Sequence, residues 1–260
     1  MRLNLTSIGF VMLAMTACGE EATTAGETGE VNTGPVQITN SINVVDWADG
    51  SPIAGAQLCS NIDGQDCQIS NANGNASFTF TANEGDQLQL RVSKAGYFSF
   101  ILETECVDLV DGGMIETSWF MSTTTMMTEL ASVAGTAPAA EKGQATVQVF
   151  GPADNMGERY PLAGVTVSLD GTAEVGPKQL NPTEDFAMSG PFSSGNVTTA
   201  AGLSAFFNVA PGAVDVTATL DGYVCRPGLA GLPSGSATVS GNVEANHVTY
   251  FTVFCDFGSK

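Results

Sequence analysis

The sequence predicts an all-β chain: two tandem antiparallel β-sandwich domains with a short helix between them, preceded by a signal segment and a flexible tether. Three observations carry that reading. Apolar and polar residues alternate with the period of two that a half-buried strand requires, in segments about ten residues apart with turn residues between. One frame of turn and strand signals occurs twice. Charged residues make up 13% of the chain while Gly, Thr, Ser, Val and Ala are plentiful, which favours short strands and turns over helices.

The first domain is expected at residues 35–122. Val36-Gln37-Ile38-Thr39 and Ile42-Asn43-Val44 alternate apolar with polar, Asp49-Gly50-Ser51-Pro52 is a turn, and a second strand covers 56–59. Asn61-Ile62-Asp63-Gly64 returns the chain to Cys67-Gln68-Ile69. Asn73-Gly74 is a tight turn because both residues tolerate positive φ. Segments 77–81 and 88–92 alternate again, and strands at 97–102 and 114–121 close the set. From 124 to 134, Met126, Met127, Leu130 and Ala134 share one helical face that Gly135 ends. A Met stripe of this kind belongs to packing rather than to a binding groove. Helix and linker together occupy 123–140.

The second domain, 141–260, opens with a strand at 145–150. Pro161-Leu162-Ala163-Gly164-Val165 then repeats Pro52-Ile53-Ala54-Gly55-Ala56, Gly202 repeats Gly74, and Asp221-Gly222-Tyr223 repeats Ala95-Gly96-Tyr97. Gly164 follows Gly55 by 109 positions and Gly202 follows Gly74 by 128, so the second copy carries 19 additional residues (128 − 109) between those landmarks. That extra length falls in 171–197, read as a long inserted loop. Its apolar residues Phe186, Met188 and Phe192 make it the candidate binding loop, since long loops on a rigid scaffold tend to carry contacts. A loop laid over its own sandwich is the competing reading. The final strand, 242–254, places Phe251 and Val253 with Cys255 on one face, and Val248, Tyr250 and Phe254 on the other.

Asp and Glu number 27 against 8 Lys and Arg, and the formal net charge is −19. A field of that sign repels nucleic acid and anionic lipid headgroups, so no nucleic acid is expected as a partner. The acids are scattered, as on a solvated exterior. At the amino terminus Arg2 precedes the apolar run Ile8-Gly9-Phe10-Val11-Met12-Leu13-Ala14, which is too short to span a bilayer and has the layout of a secretory signal.

Met15-Thr16-Ala17-Cys18 resembles the lipobox of bacterial lipoproteins, with Met15 where that family usually has Leu. The resemblance implies a signal peptide of residues 1–17, cleavage before Cys18, and lipidation of Cys18. The partner it implies is a membrane, held through acyl chains at about 0.8 kcal/mol per buried CH₂. Gly19 after the lipid site suggests the outer membrane of the cell envelope, facing the periplasm or the exterior. Residues 18–34, rich in Glu, Thr and Gly, form a flexible acidic tether.

The repeated frame also has a family likeness. Pro-x-Ala-Gly-Ala before a strand, Asn-Gly before Ser-x-Phe, and Lys94-Ala95-Gly96-Tyr97 after the next strand resemble, in that order, the carboxypeptidase regulatory-like domain, a transthyretin-like (prealbumin-like) sandwich. The Cys59-x₇-Cys67 hairpin looks like those on lipoproteins of myxobacteria and their relatives.

An exported chain permits disulfides. Cys225 and Cys255 are the cysteines of the second domain, and pairing them closes a ring worth roughly 3.7 kcal/mol of chain entropy. Cys59 with Cys67 closes a hairpin worth about 2.6 kcal/mol. Cys106 is then a free thiol or an intermolecular bridge, and Cys59 with Cys106 remains an alternative.

Little in the sequence points to catalysis. Ser–His–Asp and Cys–His chemistry would each need His247, the one histidine, which lies in a strand. There is no His-x-x-Glu pair, no Cys-x₂-Cys pair and no Gly-rich phosphate loop with its Lys, so neither a metal site nor a cofactor is expected. Asn61 to Asp66 loosely matches a calcium loop without its terminal Glu.

The expected function is that of a non-enzymatic, membrane-anchored envelope lipoprotein whose sandwiches serve structural, adhesive or protein-binding roles. The alternative is a carbohydrate-binding module, which needs exposed coplanar aromatics drawn from Trp47, Tyr160, Phe186 and Phe192, with Trp119 packed inside. A hydrolase built on an unfamiliar carboxylate pair is a third reading.

Overall fold

The computed structural model describes residues 35–61, 66–83, 86–105, 113–155, 159–182, 184–227 and 238–258. The signal segment, Cys18, the tether, Cys106 and most of the candidate calcium loop lie outside the described residues.

The amino-terminal half contains β1 (Val36–Asp46), β2 (Gln57–Ser60), β3 (Gln68–Ile69), β4 (Asn75–Ala82), β5 (Gln87–Ser93), β6 (Ser99–Glu105) and β7 (Gly113–Met121). Helix α1 (Thr124–Ala134) follows with the bounds its periodicity predicts. The Thr123 side chain caps its first turn by accepting from the Met126 N–H at 3.1 Å, and Gly135 ends it at φ +99°. The carboxy-terminal half has β8 (Gly143–Phe150), β9 (Thr166–Asp170), β10 (Ala173–Leu180), the single turn α2 (Phe186–Ser189), β11 (Phe192–Ser194), β12 (Leu203–Val209), β13 (Gly212–Thr219), β14 (Tyr223–Pro227), β15 (Thr238–Val243) and β16 (His247–Phe257). Among the described residues the chain is thus all-β apart from helix α1 and the single turn α2, as its alternation requires.

The two copies of the sequence frame fold alike, down to individual hydrogen bonds. Strands β4-β1-β7 stand in the same order as β12-β8-β16, with the first strand of each half antiparallel to one neighbour and parallel to the other. In the first copy the Val44 N–H donates to the Gly74 carbonyl (2.9 Å) and the Ile53 N–H to the Val44 carbonyl (2.8 Å). In the second, the Val149 N–H donates to Gly202 (2.7 Å) and the Leu162 N–H to Val149 (2.9 Å).

A buried hydroxyl locks each frame. Ser70 Oγ donates to the Ile53 carbonyl (2.7 Å) and accepts from the Ala56 N–H (2.9 Å), while Thr198 Oγ1 donates to Leu162 (2.7 Å) and accepts from Val165 (3.0 Å). Each therefore satisfies a backbone donor and a backbone acceptor at the point where the chain enters its second strand, groups that would be costly to bury unpaired.

Among the described residues the strands form three sheets. Sheet β4-β1-β7 covers the β6-β5-β2-β3 end of a ten-stranded sheet, and β15-β13-β9 covers its β12-β8-β16 part. Each pair encloses its own core. Val44, Leu58, Phe78, Leu90 and Trp119 fill the first, and Val147, Val167, Val216 and Phe251 fill the second with the disulfide Cys225–Cys255. A disulfide also joins Cys59 to Cys67.

The ten-stranded sheet crosses from one half to the other. Strand β16 runs parallel to β6, with His247 to Tyr250 opposite Ser99 to Leu102. The Tyr250 ring packs on the first core at 5.5 Å from Phe100, and Arg91 on β5 closes a bidentate ion pair with Glu244. In the reverse direction Trp47 packs on Leu180, Ala201 and Leu203 of the second half.

Segment 171–197 differs from the inserted loop its length suggests. It contains β10, α2 and β11, which extend the large sheet outward from β12. The reason is pairing. β12 is buried along its whole length, and its free edge would strand donors and acceptors had β10 not covered it. Pro177 sits in the bulge between Val175 and Lys178, where its missing N–H costs no ladder bond.

Candidate contact surface

One face of β12 and β10 is covered by helix α1 and, of the residues the sequence offered for contact, by Phe192. Helix α1 lays Ala131 and Ala134 on Ala205 and Phe207, with Val175 and Phe192 alongside. The small Ala side chains let the helix backbone approach the sheet closely, and Met127 is buried on the same helix face while Met126 and Leu130 are half-buried. The Met stripe thus serves packing.

Phe192 is half-buried. Its ring meets Phe207 edge-on at 5.7 Å, and like Trp47 it packs against the cluster of Leu180, Ala201 and Leu203. Phe192 stands opposite Leu180 in the β10–β11 ladder, with its ring against Phe207. Met188 is 88% exposed on α2. The Phe186 side chain is outside the described residues.

The segment that carries Met188 is firmly braced. Asn181 donates from its side chain to the Gly190 carbonyl (2.8 Å), and its N–H donates to Pro191 (2.9 Å). Gln179, 1% exposed, donates to the Gly195 carbonyl (2.9 Å) and accepts from Ser204 Oγ (2.6 Å). Thr199 Oγ1 donates to the Leu180 carbonyl. For a carbohydrate platform, Trp47 and Phe192 are engaged in packing, which leaves Tyr160 as the exposed member among the described residues.

Sequence reasoning missed a polar hub beneath this face. Asn208, at φ +53°, donates to the Ala137 carbonyl and to Glu174 Oε2, both at 2.8 Å, and accepts from the Ala139 N–H at 3.0 Å. Its own N–H donates to Gln144 Oε1 (3.1 Å). One buried amide therefore ties the linker after α1 to β8, β10 and β12. Hydrogen bonds from Thr136 and then Asn208, with the Lys142 charge nearby, hold the Glu174 carboxyl below its usual range. An Asn in the bulged end of a strand gives no pattern to read in advance.

The titratable groups at the junction of the halves are likewise committed. Hydrogen bonding from Arg91, then its charge and that of His247, lowers the Glu244 carboxyl. Burial raises the Tyr250 phenol, and burial followed by a 2.9 Å hydrogen bond to Asp46 raises that of Tyr97. His247 is half-buried, and its Nδ1 lies 2.8 Å from the Ala245 carbonyl, so that nitrogen carries the proton and donates. Among the described residues no group of three or more His, Cys, Asp and Glu is placed to hold a metal ion. Nor is any helix there long and apolar enough to cross a membrane.

No protein-family model and no curated protein matches the chain. Among solved structures it is similar to the Bacillus anthracis TIE protein (14% identity, TM-score 0.28), over 85% of this chain and 34% of that one, so it spans about a third of that protein's length. It is also similar to GBS52, a minor pilin of Streptococcus agalactiae (16% identity, TM-score 0.30), over 86% of this chain and 97% of the pilin. A streptococcal ancillary pilin matches at 14% identity and TM-score 0.26, over 89% of this chain and 65% of that one. Likenesses this loose carry no argument about function.

Proposed function

We propose that the chain is a non-enzymatic, lipid-anchored structural protein of the cell envelope that holds a braced contact surface away from a membrane. The observation that carries this reading is the sheet shared by the two halves, reinforced by Tyr250, Trp47 and the Arg91–Glu244 pair. Two sandwiches joined through backbone hydrogen bonds form a spacer that transmits position, whereas sandwiches on a free linker would not. In front of it the lipobox-like Met15-Thr16-Ala17-Cys18 supplies the anchor and residues 18–34 the reach. Met188, held out on α2, is the residue we assign to contact with a protein partner.

Metabolic labelling with an alkyne-bearing palmitate, followed by membrane fractionation, tests the anchor. Wild-type protein is expected to take up the label and sediment with the envelope, and Cys18→Ala to lose both properties. Label persisting in the Cys18→Ala protein, or absent from wild type, overturns the reading.

A further inference from the structure

We infer that the fold is built to bear tension along the chain. The first strand of each half, β1 or β8, runs parallel to the last, β7 or β16. Nine residue pairs, Ile38–Gly113 to Asp46–Met121, align in the first half, and seven, Val248–Gln144 to Phe254–Phe150, in the second.

In a parallel pair the amino end of one strand and the carboxyl end of the other lie at opposite ends of the sheet. Tension applied through the chain therefore draws each pair past one another lengthwise. All the cross-strand hydrogen bonds are loaded at once, instead of opening one after another as in a hairpin pulled from its open end. In the second half β16 is flanked by β8 and also by β6 of the first half, again parallel, so sliding it meets resistance on both edges.

The Cys225–Cys255 bond adds a covalent stop. It fastens the carboxyl end of β16 to β14, so that once β16 has slipped the residues between the two cysteines are withheld from further extension. Cys59–Cys67 protects its hairpin in the same way.

The inference rests on the proposed surface role for the source of the load. The rupture measurement examines the fold and the palmitate labelling examines the anchor, so either can fail alone.

The test is single-molecule stretching of the full chain with handles attached at residues 35 and 258. The comparison is the same chain pulled between residue 35 and Asn83, which follows the residue opposite Val36 and so opens β1 from one end. End-to-end traces are assigned to the intact chain when reduction lengthens complete unfolding by about 130 Å, from the 30 and 8 chain steps bracketed by the disulfides at roughly 3.5 Å each, and traces between residues 35 and 83 when it lengthens unfolding by about 28 Å, from the 8 steps alone. End-to-end rupture is expected at a force at least about twofold above that of the peeling geometry, because bonds loaded together must fail together. Equal forces in the two geometries, or a weaker end-to-end rupture, overturn the inference.

Discussion

Placing a methyl group on the landmark glycine of either copy should break the frame that both copies share. Gly74 has φ +78°, and a Cβ built there would lie 2.5 Å from the Val44 carbonyl oxygen and 3.2 Å from Pro52 Cβ. At Gly202 (φ +62°) the same atom would lie 2.6 Å from the Val149 oxygen and 2.9 Å from Pro161 Cβ. Those oxygens accept the bonds from Ile53 and Leu162, so neither can retreat without opening the turn into the second strand.

The left-handed backbone costs an Ala about 1–2 kcal/mol, and forcing an extra carbon into packed backbone costs about 1–3 more. Gly74→Ala and Gly202→Ala should each lose roughly 2–5 kcal/mol in urea unfolding followed by fluorescence. Gly96 and Gly222 are the controls. Their φ values of +88° and +82° are similar, but nothing lies within 4 Å of the added carbon, so Gly96→Ala and Gly222→Ala should lose only about 1–2 kcal/mol. Because one sheet runs through both halves, all four variants should shift a single transition. Equal losses at Gly74 and Gly96 would refute the close-approach argument, and a transition split in two would refute the shared-sheet one.

Two further outcomes follow from the polar contacts. Arg91 depresses the Glu244 carboxyl, so the stability that this pair adds is present above the ordinary Glu value near 4.3 and is lost as pH falls through the lower folded value. Both side chains are partly exposed, so Glu244→Gln should cost about 1 kcal/mol or less at pH 7 and progressively less as the solution is acidified below the ordinary Glu range, measured by denaturant titration across that range; a variant effect that grows on acidification contradicts this. Asn208→Gly keeps the positive φ but deletes the amide, and should lose about 2–3 kcal/mol while hydrogen exchange quickens at Ala139, whose N–H it accepts. Unchanged protection at Ala139 would remove Asn208 as the tie to the linker.

The local elements were legible because they depend on neighbours in sequence. Alternation set the faces of β4 and β5, Gly135 marked the end of α1, and the spacing of the copies located the insertion in 171–197. The Ser70 and Thr198 locks were within reach too, since each stands four positions before its landmark glycine, but a hydroxyl beside a turn looks like any other turn residue. Trp119 packs inside as its strand position implies. The half-burial of Phe192 was not legible, because an aromatic in a long inserted segment carries no record of the strand beside which it will lie.

The amino-acid order by itself determined the alternating strands outside 171–197, helix α1 and the twofold use of one β frame, since periodicity and turn chemistry act over a few residues. Only tertiary structure decided that β16 lies against β6, that β10 closes the edge of β12, and that Asn208 gathers four elements. Those choices satisfy backbone edges and buried amides left open by distant segments, and such a need exists only after the strands have been brought together.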